Sequence, residues 1–289
     1  MQDSFSSQTT PECRREQVIS LESMRQSRFN HFFFRPLTLL LVATSLYAKY
    51  PLLIYYGSSY EPKTFERYET VVLDPDLYKD VHHVRSRTFA YVSLGEVGSC
   101  RRYFAQMQKN GLLAGQNEAW GSYHINIADG RWEQLLLQEV IPPIIKSGYN
   151  GLFLDTVDSL IARDESTTKI IALIQAIKKR YPTLKLMLNR GFEVADRAPI
   201  DALLYESTIS GYNYKKKEFS LFSYDFRFLP KKPIERYSVD YWDPEEPEGM
   251  ARIYKIALKK GYKPLVTTMS LTELPNVRFD INKSMIEYH

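Results

Sequence analysis

Two carboxylates close an apolar run in the middle of this chain. Gly148-Tyr149-Asn150-Gly151 leads into Leu152-Phe153-Leu154, and Asp155 and Asp158 follow at once. A short continuous apolar run is what a strand buried on both faces requires. Acids delivered at the C-terminal end of such a strand are how a parallel α/β barrel furnishes an active site. The competing use of either Asp is to cap the next helix. The pattern recurs along the chain. Asp74, Glu96, Glu206 and Asp240 each close a strand-like run, and Asn189 closes another. Carboxylates crowded into one mouth repel, so at least one should hold its proton above the ordinary range. A protonated carboxyl beside an ionised one is the pair glycoside hydrolysis needs. One protonates the leaving oxygen; the other attacks the anomeric carbon or activates water.

Other chemistries find little support. His82, His83 and His124 have no ligand spacing, so a His-ligated metal is disfavoured and no metal or other cofactor is expected; a carboxylate-only Ca²⁺ or Mg²⁺ site stays open. There is no Gly-rich phosphate loop, and Ser93 and Ser207 lack the GxSxG elbow of a serine hydrolase. Aromatic side chains are abundant, with 21 Tyr, 15 Phe and 3 Trp. Trp120, Tyr241 and Trp242 lie near strand ends, where a flat ring can stack on a sugar. The aromatic stretch from Tyr212 to Phe228 reads as a loop packed onto the barrel, and Lys215-Lys216-Lys217 as a solvated face.

The elements that must position these groups alternate. Strands are expected at Leu52–Gly57, Thr70–Asp74, Thr88–Glu96, Leu152–Asp155, Leu184–Asn189, Ala202–Ser207, Tyr237–Trp242 and Pro264–Met269. Helices are expected at 76–84, started by Asp74-Pro75, at 132–146 with a kink at Pro142-Pro143, at 166–181, and at 248–261 ending on Gly261. Ile170, Leu173, Ile174 and Ile177 give the third of these a helical apolar face. Eight strands alternating with helices predict a single-domain (β/α)8 barrel, with an open doubly wound sheet as the alternative.

The length of 289 residues suits one such barrel, which needs roughly 250. A net charge of +4 is too small to argue for nucleic acid. Cys13 and Cys100 make no disulfide framework. Ahead of the barrel, Arg25, Arg28 and His31 precede the apolar run Leu37–Ala43 and small residues up to Ala48. This is the layout of an export signal, with Met24 as the start and cleavage near Ala48, and an uncleaved N-terminal anchor as the alternative. The run is too short for a comfortable span, so no stable membrane insertion is expected. The chain thus divides into a signal region, 1–48, and a domain, 49–289, secreted or periplasmic.

The blocks Ala90–Val97, containing Ser93-Leu94-Gly95-Glu96, Gly148–Asp158, Asn189-Arg190-Gly191, Tyr205-Glu206-Ser207 and Val239-Asp240-Tyr241 occur in this order. Together they resemble the endo-α-1,4-polygalactosaminidase-like barrels of glycoside hydrolase family 114, and the related hydrolase domains of Pel polysaccharide systems, over about residues 50–270. The resemblance implies internal cleavage of α-1,4-linked galactosamine polymers, often partly N-acetylated. It implies Asp155 as nucleophile or base and Glu206 as general acid. Tyr56, Asp74, Tyr91, Glu96, Trp120, Asp158, Asn189, Asp240 and Tyr241 are then the expected substrate-binding residues. A glycosidase for another exported polysaccharide, and a non-catalytic carbohydrate-binding barrel, are the alternatives. Retention or inversion depends on the carboxyl separation, which the sequence leaves open.

Overall fold

The computed structural model describes residues 49–223 and 226–275, with the backbone of two further strands, Val277–Asp280 and Met285–Tyr288. The export region with Met24 and Ala48, as well as Cys13 and Tyr224, lies outside the described residues. Among the described residues no helix is long and apolar enough to cross a membrane.

Eight parallel strands form one sheet in chain order: β1 Tyr50–Tyr55, β2 Tyr68–Leu73, β3 Arg87–Ser93, β4 Gly151–Asp155, β5 Lys185–Asn189, β6 Ala202–Glu206, β7 Glu235–Tyr241 and β8 Lys263–Thr267. β8 returns beside β1, and the Tyr56 N–H donates to Leu271 O at 2.8 Å, so the sheet curls into a nearly closed barrel. The expected (β/α)8 fold is therefore present, and the open sheet is not.

Side chains alternate across each strand. One parity fills the barrel with Ile54, Val72, Phe89, Phe153, Met187, Leu204, Val239 and Leu265. The other faces the helices, which supply Ile170, Ile174 and Ile177 from Thr167–Arg180 and Ile253 and Ala257 from Pro247–Lys259. The barrel's N-terminal end is plugged by polar groups. Arg87 donates to both oxygens of Glu235 at 2.6 and 2.7 Å, and Lys263 adds a bond at 3.0 Å.

Two expectations need correction, and a third gains detail. The segment 76–84 forms turns rather than a helix. Asp74 Oδ1 accepts the Asp76 N–H at 2.9 Å, and that local bond competes with helix propagation. The third strand stops at Ser93; Glu96–Gly98 belongs to a separate antiparallel sheet with Ser122–Ile125 and Leu113–Asn117. The helix at 132–146 is Gly130–Leu135, a π turn at Leu136–Val140, and Ile141–Lys146. Pro142 and Pro143 provide no N–H to the preceding turn, and Arg102 donates instead to Glu139 O at 2.9 Å.

Candidate active site

The C-terminal ends of the strands open into a cleft of about 1040 Å³. Among the described residues, the charged groups lining it are Glu96, Asp155, Asp158, Glu206 and Arg190. β4, β5 and β6 bring Asp155, Asn189 and Glu206 side by side, all on the barrel-facing parity. Asn189 Nδ2 donates to Asp155 Oδ1 and to Glu206 Oε2, at 2.8 Å in each case. The two accepting oxygens are therefore no farther apart than twice that length. Tyr241, barrel-facing on β7, donates its hydroxyl to Glu206 Oε1 at 2.7 Å.

Burial, and next the charge of Glu206, raise the Asp155 carboxyl to about 7; the Asn189 bond opposes them. Asp158 is also raised, chiefly by burial, with Arg190 acting against it; Arg190 Nη1 lies 3.3 Å from its carboxylate. Tyr56 and Tyr91 meet edge to face at 5.2 Å on the cleft wall. Burial, then the charges of Asp155 and Glu206, push the Tyr56 hydroxyl upward. Tyr241 moves the same way, through burial and Glu206.

The residue after each member of this row has a left-handed backbone: Thr156 at φ 63°, Arg190 at φ 53° and Ser207 at φ 50°. For a β-branched residue this region is strained. Hydrogen bonds hold Thr156 there. Its hydroxyl donates to Asp155 O at 2.7 Å, accepts the Gly95 N–H at 2.8 Å and lies 2.8 Å from Ser93 Oγ. A Cβ on Gly95 would fall 2.7 Å from Thr156 O, so only glycine lets the loop after β3 approach so closely.

Glu96 lines the cleft but is held by the chain itself. Asn117 donates to its Oε1 at 3.1 Å and Ser122 to its Oε2 at 2.5 Å, and Ser159, beyond Asp155, also donates to Oε1. It thus ties the inserted sheet, which carries Trp120 to the cleft, to the segment after β4. Burial lowers the neighbouring His124, whose Nδ1 is 3.6 Å from Glu96.

Two of the expected substrate-binding acids do not line this cleft. Asp74 is paired with Arg101 at 2.8 Å and faces a neighbouring groove. Asp240 is fully buried on the outward parity of β7, where its Oδ1 accepts the N–H groups of Ile209 and Ser210 at 2.8 and 3.0 Å. Burial raises it to about 6 against those bonds. Trp242 is likewise turned away, packed on Phe219. Conversely, Tyr212, Tyr214 and Phe222 line the cleft from a hairpin, Ser210–Asn213 with Glu218–Leu221. The aromatic stretch was visible in the sequence as packing; Asn213, whose Oδ1 accepts the Lys215 and Lys216 N–H groups at 3.1 Å, was the available turn signal.

The barrel resembles solved glycosidase structures. It aligns with the glycoside hydrolase domain of PelA from Pseudomonas aeruginosa at a TM-score of 0.65 and 24% identity, covering 78% of this chain and 96% of that one. It aligns with Ega3 from Aspergillus fumigatus, solved with galactosamine, at 0.55 and 12%, covering 83% and 94%. A comparison with curated proteins returned no match. The model of glycoside-hydrolase family GH114 matches residues 49–283, most of the chain, and the protein is a glycoside hydrolase belonging to that family.

Proposed function

We propose that this hydrolase cleaves an α-1,4-linked galactosamine polysaccharide, partly N-acetylated, within its chain, using Asp155 and Glu206. The observation that carries this reading is the single Asn189 amide bonded to both carboxylates at the floor of an acid-lined cleft. Four acids and one arginine line that cleft among the described residues, in a protein of net charge +4. Such a concave acidic surface attracts a cationic polymer. Ega3, of the same fold, was solved with galactosamine. Tyr56, Tyr91, Trp120, Asp158 and Tyr241 would contact the sugar units.

The short Asp155–Glu206 separation supports retention, which uses carboxyls roughly 5–5.5 Å apart, over inversion at roughly 6.5–9.5 Å. One carboxylate attacks the anomeric carbon while the other passes its proton to the leaving oxygen. Water then cleaves the glycosyl ester, giving its proton back to the second group. In the free site Glu206 receives two hydrogen bonds from side chains, and burial and the charge of Glu206 hold the Asp155 carboxyl above the ordinary carboxylate range. A galactosaminium unit binding beside Asp155 favours its anion, the form needed for attack, with Glu206 then as acid. Residues 24–48 serve as the export signal in this reading, and the mass of the mature chain tests that part.

The purified protein is incubated with partly deacetylated α-1,4-galactosaminan beside Glu206→Gln, and products are followed by mass spectrometry and by NMR of the first-formed anomer. Shorter oligosaccharides of retained configuration from the parent alone are expected. Cleavage by both proteins would remove Glu206 from the pair. Cleavage of a different exported glycan only would overturn the substrate.

A further inference from the structure

We propose that the hairpin Ser210–Asn213/Glu218–Leu221 is an amino-sugar subsite on the Glu206 side of the cleft, and that Asp240 is the positioning residue that holds it there. The proposal rests on the amino-sugar reading above and names where one unit of that substrate binds. Three observations carry it. First, the hairpin starts four residues after Glu206 and brings Tyr212, Tyr214 and Phe222 to the cleft. Tyr212 and Tyr214 meet edge to face at 5.1 Å on a wall that already contains acids. Second, the Tyr214 hydroxyl is raised by burial, then by Tyr212 and the charge of Glu206, which locates the ring near the candidate pair. Third, a dedicated anchor fixes the hairpin's base. Asp240 accepts the N–H groups of Ile209 and Ser210, Ser210 Oγ donates to Tyr241 O at 3.1 Å, and Phe219 packs on Trp242 at 6.1 Å.

The chemistry fits the ligand. A tyrosine face stacks on the apolar side of a sugar ring, and its quadrupole attracts an ammonium group. Asp240 cannot touch that sugar, being fully buried behind the strand. It acts through the backbone it grips. β7 thus holds Glu206 through Tyr241 inside the barrel and the hairpin's base through Asp240 outside it.

The test uses the full chain in a Glu206→Gln background, so that ligand is bound without turnover. Calorimetry measures partly deacetylated α-1,4-galactosamine oligomers, and hydrogen exchange follows the amides of 209–222. Tyr212→Ala and Tyr214→Ala should each weaken binding roughly three- to tenfold with exchange unchanged. Asp240→Ala should speed exchange in 209–222 and weaken binding at least as much. Asp240→Asn, whose amide oxygen can accept the same N–H groups, should restore both. Parent-level binding in both tyrosine variants would overturn the subsite. Unchanged exchange in Asp240→Ala, or a loosened hairpin with unchanged binding, would overturn the anchor. An oligomer that does not bind the Glu206→Gln protein at all would instead overturn the substrate reading and, with it, the sugar assigned to this hairpin.

Discussion

Asn189 gives both of its amide hydrogens to acids, so its orientation is fixed. A flipped amide would set its oxygen against two carboxylates. Removing it leaves their repulsion unopposed, which raises the pH at which the pair loses its shared proton. Asn189→Ala should therefore shift the alkaline limb of kcat/KM upward. It should also lower kcat/KM roughly ten- to hundredfold, the equivalent of a charged hydrogen bond of about 1.5–3 kcal/mol. An unshifted limb in a pH–rate profile would remove the amide from the titration. Asp155 gives a second test, with a sign. Its carboxyl binds a proton more tightly folded than unfolded, so its contribution to stability is greatest at low pH. That contribution is lost as pH rises through about 7. Asp155→Asn should raise Tm at pH 8 and leave it nearly unchanged at pH 4; equal shifts at both would show that the charge is not responsible.

At the scale of elements, close backbone approach decides what can be changed. β4 delivers Asp155 between β3 and β5, and it enters through Gly151. A Cβ there would lie 2.4 Å from Lys185 O and 2.7 Å from the Phe89 ring. Gly151→Ala should cost on the order of 1–3 kcal/mol or more and spread the strands beneath the pair. Gly130, at the start of a helix, has open space around its would-be Cβ, and Gly130→Ala should be nearly neutral. Thermal melts of the two variants make the comparison, and similar losses would sink the packing explanation. Asp240 belongs to this scale as well. It ends a strand like Asp155 and Glu206, but the pleat turns it outward, while Tyr241 turns in. The period of two was readable from Tyr237, Val239 and Tyr241, so that distinction was available in the sequence.

Over the whole molecule, charge is segregated. The cleft is acidic although the protein is basic, so raised salt should increase KM for a deacetylated polymer and affect a fully N-acetylated one little. Equal salt dependence for the two polymers, measured by reducing-end release, would argue against electrostatic attraction. At the other end of the barrel, Glu235 is held down to about 2, first by the Arg87 bonds. Its stabilisation is present above the ordinary carboxylate range and fades as pH falls toward 2. Glu235→Gln should lower Tm at neutral pH, by a modest amount because the group is partly exposed, and leave kcat unchanged. A fall in kcat would link the plug to the cleft.

The sequence by itself determined the barrel, because its alternating apolar runs and amphipathic helices have few other ways to bury themselves. It also placed Asp155, Asn189 and Glu206 at the mouth, because a polar residue on the inward parity at the end of a barrel strand is presented there. It carried the reach of the family match, from 49 to 283. Only the tertiary structure decided which acids face one another across the cleft and which are held by other partners. Asp74 is taken up by Arg101, 27 residues away in sequence, and Glu96 by Asn117, Ser122 and Ser159 from three separate segments. The hairpin that brings Tyr212 and Tyr214 to the cleft is bonded at its base, Ile209 and Ser210, by Asp240 on the next barrel strand. Such pairings depend on distances across the fold, which local composition does not encode.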